Sequence, residues 1–332
     1  MKQNDQEQRP RGCIRSTGCW LAFGLIIGGF LLWKRFARKS EPTFDEIYRD
    51  VSEEKKRTLL HFRGAYPYSR VTHDGTEWHY IACGQGERAL LLLGGGLAAG
   101  ETSFRRILEL EDRYRLIAPT YPPVTGMAAL VDGLMAILDQ EGIDKVDIYG
   151  HSFGAAVAHV LVRRYPERVG KVALSAFGIY TEQNVGRMRF FVKVFDRLPY
   201  VALQVFYRWR IEKMLLDADE EEKAFMLAYL NDLFLLQFDK EEMMARFELL
   251  VELVENAEEL KVFEPVERPG EILFITAQDD SGFEPTEREM LSSLYPGADV
   301  HVFDSGGHWV QFKRREEYNA VLHGFLERPT LS

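Results

Sequence analysis

Apolar residues along this chain alternate between two patterns. Short β-branched or leucine-rich runs are separated by longer stretches with apolar residues every three or four positions. Two alternating segments, 68–73 and 76–83, flank Asp74-Gly75, a dipeptide suited to a two-residue hairpin turn. Gly84-Gln85-Gly86-Glu87 makes a second turn, and 89–93 is a continuous apolar run, as expected of a strand buried on both faces. From there helices and strands alternate: helix 101–113, strand 114–119, helix 126–141, strand 145–149, a helix after residue 152, and strand 171–176. The alternation resumes with strand 271–276, helix 285–294, strand 298–303 and helix 314–327. This order predicts an α/β fold with a mostly parallel, doubly wound sheet and a leading antiparallel hairpin.

The interruption, 180–266, reads as all helix. Phe190, Phe191, Val194 and Phe195, then Met226, Tyr229, Leu230 and Leu233, recur at helical spacing. The reading is a helical lid inserted between two strands of a core formed by 66–179 and 267–328. Within 187–213, Arg and Lys are interleaved with aromatic residues, as on a lid with its apolar face inward and its cations in water.

The pattern of the first 65 residues is different. Residues 19–33 carry no charge and are bounded by Trp20 and Trp33. As a helix they span about 22 Å, short of a hydrocarbon core of about 30 Å. Neighbouring residues extend the segment to 19–37, with Lys34 and Arg35 snorkelling. Lys34-Arg35-Phe36-Ala37-Arg38-Lys39 offers no small-x-small cleavage site, which argues against a signal peptide. The expectation is a basic tail at 1–18, a single-pass membrane anchor at 19–37, a charged connecting helix at 38–65, and a cytoplasmic body.

Charge divides the same way. The net charge is −10, yet residues 1–40 hold eight Lys or Arg against two acids. The acidic remainder argues against a nucleic-acid partner. Three cysteines cannot build a disulfide framework.

Candidate chemistry centres on Gly150-His151-Ser152-Phe153-Gly154, which follows the strand at 145–149 and precedes a helix with small residues in its first turn. A G-x-S-x-G sequence in that context exposes a serine on a tight turn above a helix N-terminus. A serine hydroxyl needs a base, and the base needs an orienting acid. Two later strands end in loops that supply them: Ala277-Gln278-Asp279-Asp280-Ser281, and Asp304-Ser305-Gly306-Gly307-His308. Both loops lie at the carboxyl edge of the sheet, with Ser152.

On these motifs, residues 66–328 resemble the α/β-hydrolase superfamily. The resemblance implies Ser152 as nucleophile, His308 as base and Asp280 as acid, being fourth in a stretch where Ala277 stands for the usual Gly; Asp279 is the alternative. It also implies an oxyanion hole from the N–H groups of Phe153 and Gly96. Relatives commonly carry His-Gly where this chain has Gly94-Gly95. His61, His73, His79, His151, His159, His301 and His323 compete less well with His308, since none follows the last strand and two glycines. His301 and His308 lack the further ligands that a metal requires. The glycines after 89–93 do not complete a dinucleotide fingerprint, and no P-loop is present, so no cofactor is expected.

Phe62-Arg63-Gly64, Tyr121-Pro122 and Leu294-Tyr295-Pro296 are also similar to the maspardin branch, which is associated with protein interaction. The reading is therefore a membrane-anchored serine hydrolase for a small acyl or lipid-like substrate, cleaving a carboxylic ester through an acyl-enzyme. The alternative is a catalytically inactive adaptor on the same fold.

Overall fold

The computed structural model describes residues 42–329, apart from 98, 216–217 and 269. The chain divides into two compact units, 1–46 and 47–332. The expected connecting helix is two helices among the described residues, α1 (Phe44–Ile47) and α2 (Glu53–Ala65). Between them, Tyr48 and Val51 are buried.

Eight strands form one sheet: β1 (Ser69–His73), β2 (Thr76–Cys83), β3 (Arg88–Leu93), β4 (Tyr114–Pro119), β5 (Val146–His151), β6 (Val169–Ser175), β7 (Ile272–Ala277) and β8 (Asp299–Phe303). Their spatial order is β1-β2-β4-β3-β5-β6-β7-β8. The β1–β2 and β2–β4 pairs are antiparallel and the others parallel. The hairpin closes through Asp74 (φ 48°) and Gly75 (φ 77°), the two left-handed residues a type I′ turn needs.

The central strands β3, β5 and β6 are buried almost throughout, which in β3 accounts for the unbroken apolar run from Ala89 to Leu93. Helices α4 (Met127–Gln140), α5 (Phe153–Arg164) and α10 (Pro285–Leu294) send apolar side chains into the main core cluster. Helices α3 (Phe104–Leu110) and α12 (Arg315–Leu326) are tied together by Arg106 donating to Asn319 (2.6 Å), and Tyr318 of α12 reaches Tyr149 of β5 (3.1 Å). A short helix, α11 (Val310–Lys313), precedes α12.

Among the described residues four helices lie between β6 and β7: α6 (Glu182–Arg197), α7 (Tyr200–Met214), α8 (Glu220–Leu236) and α9 (Lys240–Glu255). Asp219 caps the start of α8 and a reciprocal Asp239–Glu242 box that of α9, whereas α7 starts after Pro199 without a side-chain cap. Phe191 packs against Phe195, Phe206 and Phe247 at centroid distances of 4.1–4.9 Å, while Phe190 and Trp209 remain exposed.

A buried polar cluster joins this insertion to α2 and the core. Arg63 donates to both Glu101 oxygens (3.0 and 2.7 Å) and to Asp232 of α8 (2.6 Å), and Tyr48 donates to the same Asp232 oxygen (2.8 Å). Removing that carboxylate, whose side chain is 1 % exposed, takes one of the two carboxylates away from Arg63 and an acceptor away from the Tyr48 hydroxyl, while Glu101 still pairs Arg63. Asp232→Ala is therefore expected to cost about 1–3 kcal/mol, read as a fall in the urea midpoint.

Among the described residues no helix is long and apolar enough to cross a membrane. That corrects the expectation of a membrane-anchored, cytoplasm-facing protein. The apolar segment that prompted it, 19–37, lies outside the described residues.

Candidate active site

The carboxyl end of β5 runs straight into α5 through Ser152, whose backbone is held at φ 52°, ψ −114°. A non-glycine residue in that region is strained, and the surroundings must enforce it. They do so by close approach. A Cβ on Gly150 would lie 2.7 Å from the Gly154 carbonyl oxygen, and one on Gly154 would lie 2.1 Å from the Leu93 carbonyl oxygen. The turn is possible only because both positions lack a side chain. The Ser152 N–H is tied to the Ser175 carbonyl of β6 (2.9 Å). Gly154→Ala would push β3 away from α5 at backbone atoms that cannot yield. It is expected to cost at least about 3 kcal/mol of stability, measured by thermal unfolding.

The loops after β7 and β8 meet Ser152 at this edge. His308 Nε2 lies 2.9 Å from Ser152 Oγ, and His308 Nδ1 lies 3.0 and 3.2 Å from the two Asp280 oxygens. The Asp280 side chain is fully buried and that of His308 nearly so. With Nδ1–H donating to Asp280, Nε2 presents its lone pair to the serine hydroxyl. Burial alone would raise the Asp280 carboxyl. The hydrogen bond and charge of His308, with the Gly282 N–H (2.7 Å), outweigh burial and hold it below the usual carboxylate range.

Asp279 goes elsewhere. It accepts the N–H groups of Gly306 (3.2 Å) and Gly307 (2.8 Å), so it ties the histidine loop to the β7 loop. Gly306 (φ 132°) and Gly307 (φ 60°) let the chain turn tightly enough to deliver His308.

Phe153 is the first residue of α5, so its N–H has no acceptor within the helix. Across from it runs the loop after β3. A Cβ on Gly95 would sit 3.8 Å from Ser152 Cβ, whereas the nearest atom to one on Gly96 would be the Tyr207 hydroxyl, 3.9 Å away. Gly95, more than Gly96, is thus the loop residue against the serine.

His151, which the sequence offers as a weaker competitor of His308, is the variable position of the serine turn. Its ring lies 5.4 Å from that of His308 and contacts Ser175 Oγ (3.3 Å) and Gln311 Nε2 (3.2 Å). Burial, then the nearby His308, push it down to about 3, so it remains neutral beside the charge that His308 would acquire. His159 is buried in α5, contacting the Val262 carbonyl (2.9 Å) and Tyr295 hydroxyl (2.6 Å). Among the described residues no group of three or more His, Cys, Asp or Glu is gathered as a metal would require.

A cavity of about 360 Å³ opens beside Ser152 and His308. The insertion supplies much of its wall, including Met188, Tyr207, Met226, Leu230, Arg246 and Phe247. Arg246 gave a sequence signal that was passed over. It is a cation on a buried helical stripe with Met243, Leu250 and Leu253, and is itself 3 % exposed.

The sheet order, the strained serine turn and the acid and histidine loops are those of one fold family. The chain belongs to the alpha/beta hydrolase fold family, whose sequence profile matches residues 89–314. It is similar to the 2-hydroxy-6-oxo-6-phenylhexa-2,4-dienoate hydrolase of Burkholderia cepacia, at 29% identity over 75% of this chain and 90% of that one. It is similar to the 2-hydroxy-6-oxononadienedioate/2-hydroxy-6-oxononatrienedioate hydrolase of Escherichia coli, at 26% identity over 76% of this chain and 91% of that one. Among solved structures, a hydrolase from Pseudomonas aeruginosa superposes with a TM-score of 0.66 at 16% identity, covering 80% of this chain and all of the other. A meta-cleavage product hydrolase from Pseudomonas fluorescens superposes with a TM-score of 0.59 at 20% identity, covering 78% of this chain and 97% of the other; both likenesses speak to the fold. With hydrolases matching three-quarters of its length, the chain is a hydrolase.

Proposed function

We propose that the chain is a serine hydrolase that cleaves a carboxylic ester or related acyl compound through an acyl-enzyme on Ser152. The observation that carries this reading is the unbroken hydrogen-bonded line from Ser152 Oγ through His308 to Asp280. In the first half-reaction Ser152 Oγ attacks the substrate carbonyl carbon while His308 Nε2 takes the serine proton. Asp280 stabilises the imidazolium and keeps the ring oriented. The oxyanion that forms is met by the Phe153 N–H and an N–H of the Gly94–Gly96 loop, with Gly95 nearest the serine. His308 then delivers its proton to the leaving group. In the second half-reaction His308 activates water, which attacks the acyl carbonyl and frees Ser152.

A fluorophosphonate probe tests this directly. Covalent labelling of the folded protein that disappears in Ser152→Ala is the expected result. A folded protein that takes no label would favour the non-catalytic adaptor instead. A second reading, cleavage of a carbon–carbon bond beside a ketone, is favoured by the names of the Burkholderia and Escherichia relatives. The same Ser152 and His308 would serve it, with a carbon leaving group in place of an alcohol. Turnover of 2-hydroxy-6-oxo-6-phenylhexa-2,4-dienoate against p-nitrophenyl esters separates the two.

A further inference from the structure

Three consecutive glycines, Gly94-Gly95-Gly96, follow β3 where the proposed oxyanion hole needs a backbone N–H held in place. Three glycines together lose more backbone freedom on ordering than three residues with side chains. They also have no side chains with which to fasten themselves. Their carbonyls are fastened from outside. The Tyr121 hydroxyl, on the loop after β4, donates to Gly94 O (3.3 Å). Arg246 of α9 donates through Nη1 to Gly96 O (3.1 Å) and through Nη2 to Tyr121 O (3.4 Å). Farther along, the Gly100 N–H donates to Thr120 Oγ1 (2.9 Å).

The same tyrosine touches the other half of the hole. Its ring packs edge-on against Phe153, the residue after the serine, at a centroid distance of 5.3 Å. Both residues are buried. Tyr121 therefore contacts the glycine loop at its Gly94 carbonyl and Phe153 at its side chain, and Arg246 contacts Tyr121 and the glycine loop together. Arg246 has few alternative positions, since its guanidinium also lies over the Phe238 ring, 4.9 Å from the centroid.

We infer that Arg246 and Tyr121 are positioning residues that brace the glycine loop, so that the inserted helices take part in assembling the oxyanion hole. This rests on the serine-hydrolase reading of the site. Pinning Gly94 O and Gly96 O leaves the intervening peptides at Gly95 and Gly96 in one orientation beside Ser152. Without the brace the loop samples others, and the donor is in place for only part of the time. Preorganised donors aid the transition state more than the bound substrate, so the loss falls on kcat. Arg246 also lines the cavity, which makes a substrate anchor the rival role. An anchor for an anionic group would act on KM, and only for substrates that carry such a group.

The experiment compares wild type, Arg246→Met, Arg246→Lys and Tyr121→Phe. Each is assayed with a neutral p-nitrophenyl ester, its carboxylate-bearing analogue and the matching thionoester, whose developing sulfur anion is a poor ligand for such a hole. Arg246→Met is expected to lower kcat about 100-fold on both oxygen esters, with KM within about threefold, and Tyr121→Phe about tenfold. Both should shrink the preference for ester over thionoester, and Arg246→Lys should regain part of it by donating once to Gly96 O. A KM increase confined to the carboxylate-bearing ester, with kcat unchanged, would overturn the inference. So would an unchanged ester-to-thionoester ratio. If Arg246→Met does not fold, Tyr121→Phe, which loses a single oxygen atom, decides the matter by the same ratio. A wild type that neither takes the fluorophosphonate label nor hydrolyses an ester sinks the serine-hydrolase reading itself; a reactive wild type with unaffected variants sinks only the brace.

Discussion

Ser152→Ala is expected to lower turnover by on the order of 10⁵-fold or more, because the line from Asp280 through His308 then ends on a methyl group. Circular dichroism and the unfolding midpoint should change little, since alanine suffers the same backbone strain as serine at φ 52°. Ser152→Gly makes the complementary case. It loses the same hydroxyl, and turnover should fall equally. Glycine adopts that backbone conformation readily, so the variant should gain about 1 kcal/mol of stability. Two variants with one activity loss and different unfolding midpoints would show that the strain is carried for the sake of the hydroxyl. Equal stability in the two would contradict the strained geometry.

The second large effect is expected at Asp280. Asp280→Asn keeps the shape but offers an amide to His308 Nδ1, which favours the wrong tautomer, and kcat should fall about 10⁴-fold. Asp279→Asn, one residue away, should cost about tenfold. It weakens the clamp on the Gly306-Gly307 backbone and leaves the imidazole paired. Comparable losses in both variants would mean that the clamp, rather than the buried carboxylate, governs the histidine. Asp280 also links the site to pH. Its folded-state value lies below the usual one, so its stabilising contribution is present above the unfolded value, about 3.9, and disappears as pH falls through the folded value. The stability gap between wild type and Asp280→Asn should therefore be widest near neutrality and close below pH 4, as urea midpoints at pH 7 and pH 3 would record.

Much of this site could be read without coordinates. The G-x-S-x-G turn is legible because its constraint is local. Five consecutive residues must pass a strand into a helix, and only glycine fits where Gly150 meets Gly154 and Gly154 meets Leu93. The Asp74-Gly75 hairpin was legible for the same reason, since two adjacent left-handed residues decide it. The alternation of apolar runs also carried the mostly parallel sheet, which places Ser152, the β7 loop and the β8 loop along one edge. The segment 19–37 was a different case. The uncharged run 19–33 within it suggested a membrane span, and the described residues, which do not include it, contain no such helix.

The sequence by itself thus determined which backbone turns are possible, the mostly parallel sheet that aligns the loops, and the residue types on each. The family resemblance favoured Asp280 but left Asp279 as an alternative. The two are chemically identical neighbours, and the path of a loop 28 residues away decides which one meets His308 Nδ1. The brace on the glycine loop, which joins Arg246 to a carbonyl 150 residues earlier, was beyond the sequence. Local preference acts over a turn or two of chain. Contacts over such separations exist only once the sheet has formed and the insertion has packed onto it, so tertiary structure alone decided which side chains hold Gly94, Gly95 and Gly96 beside the serine.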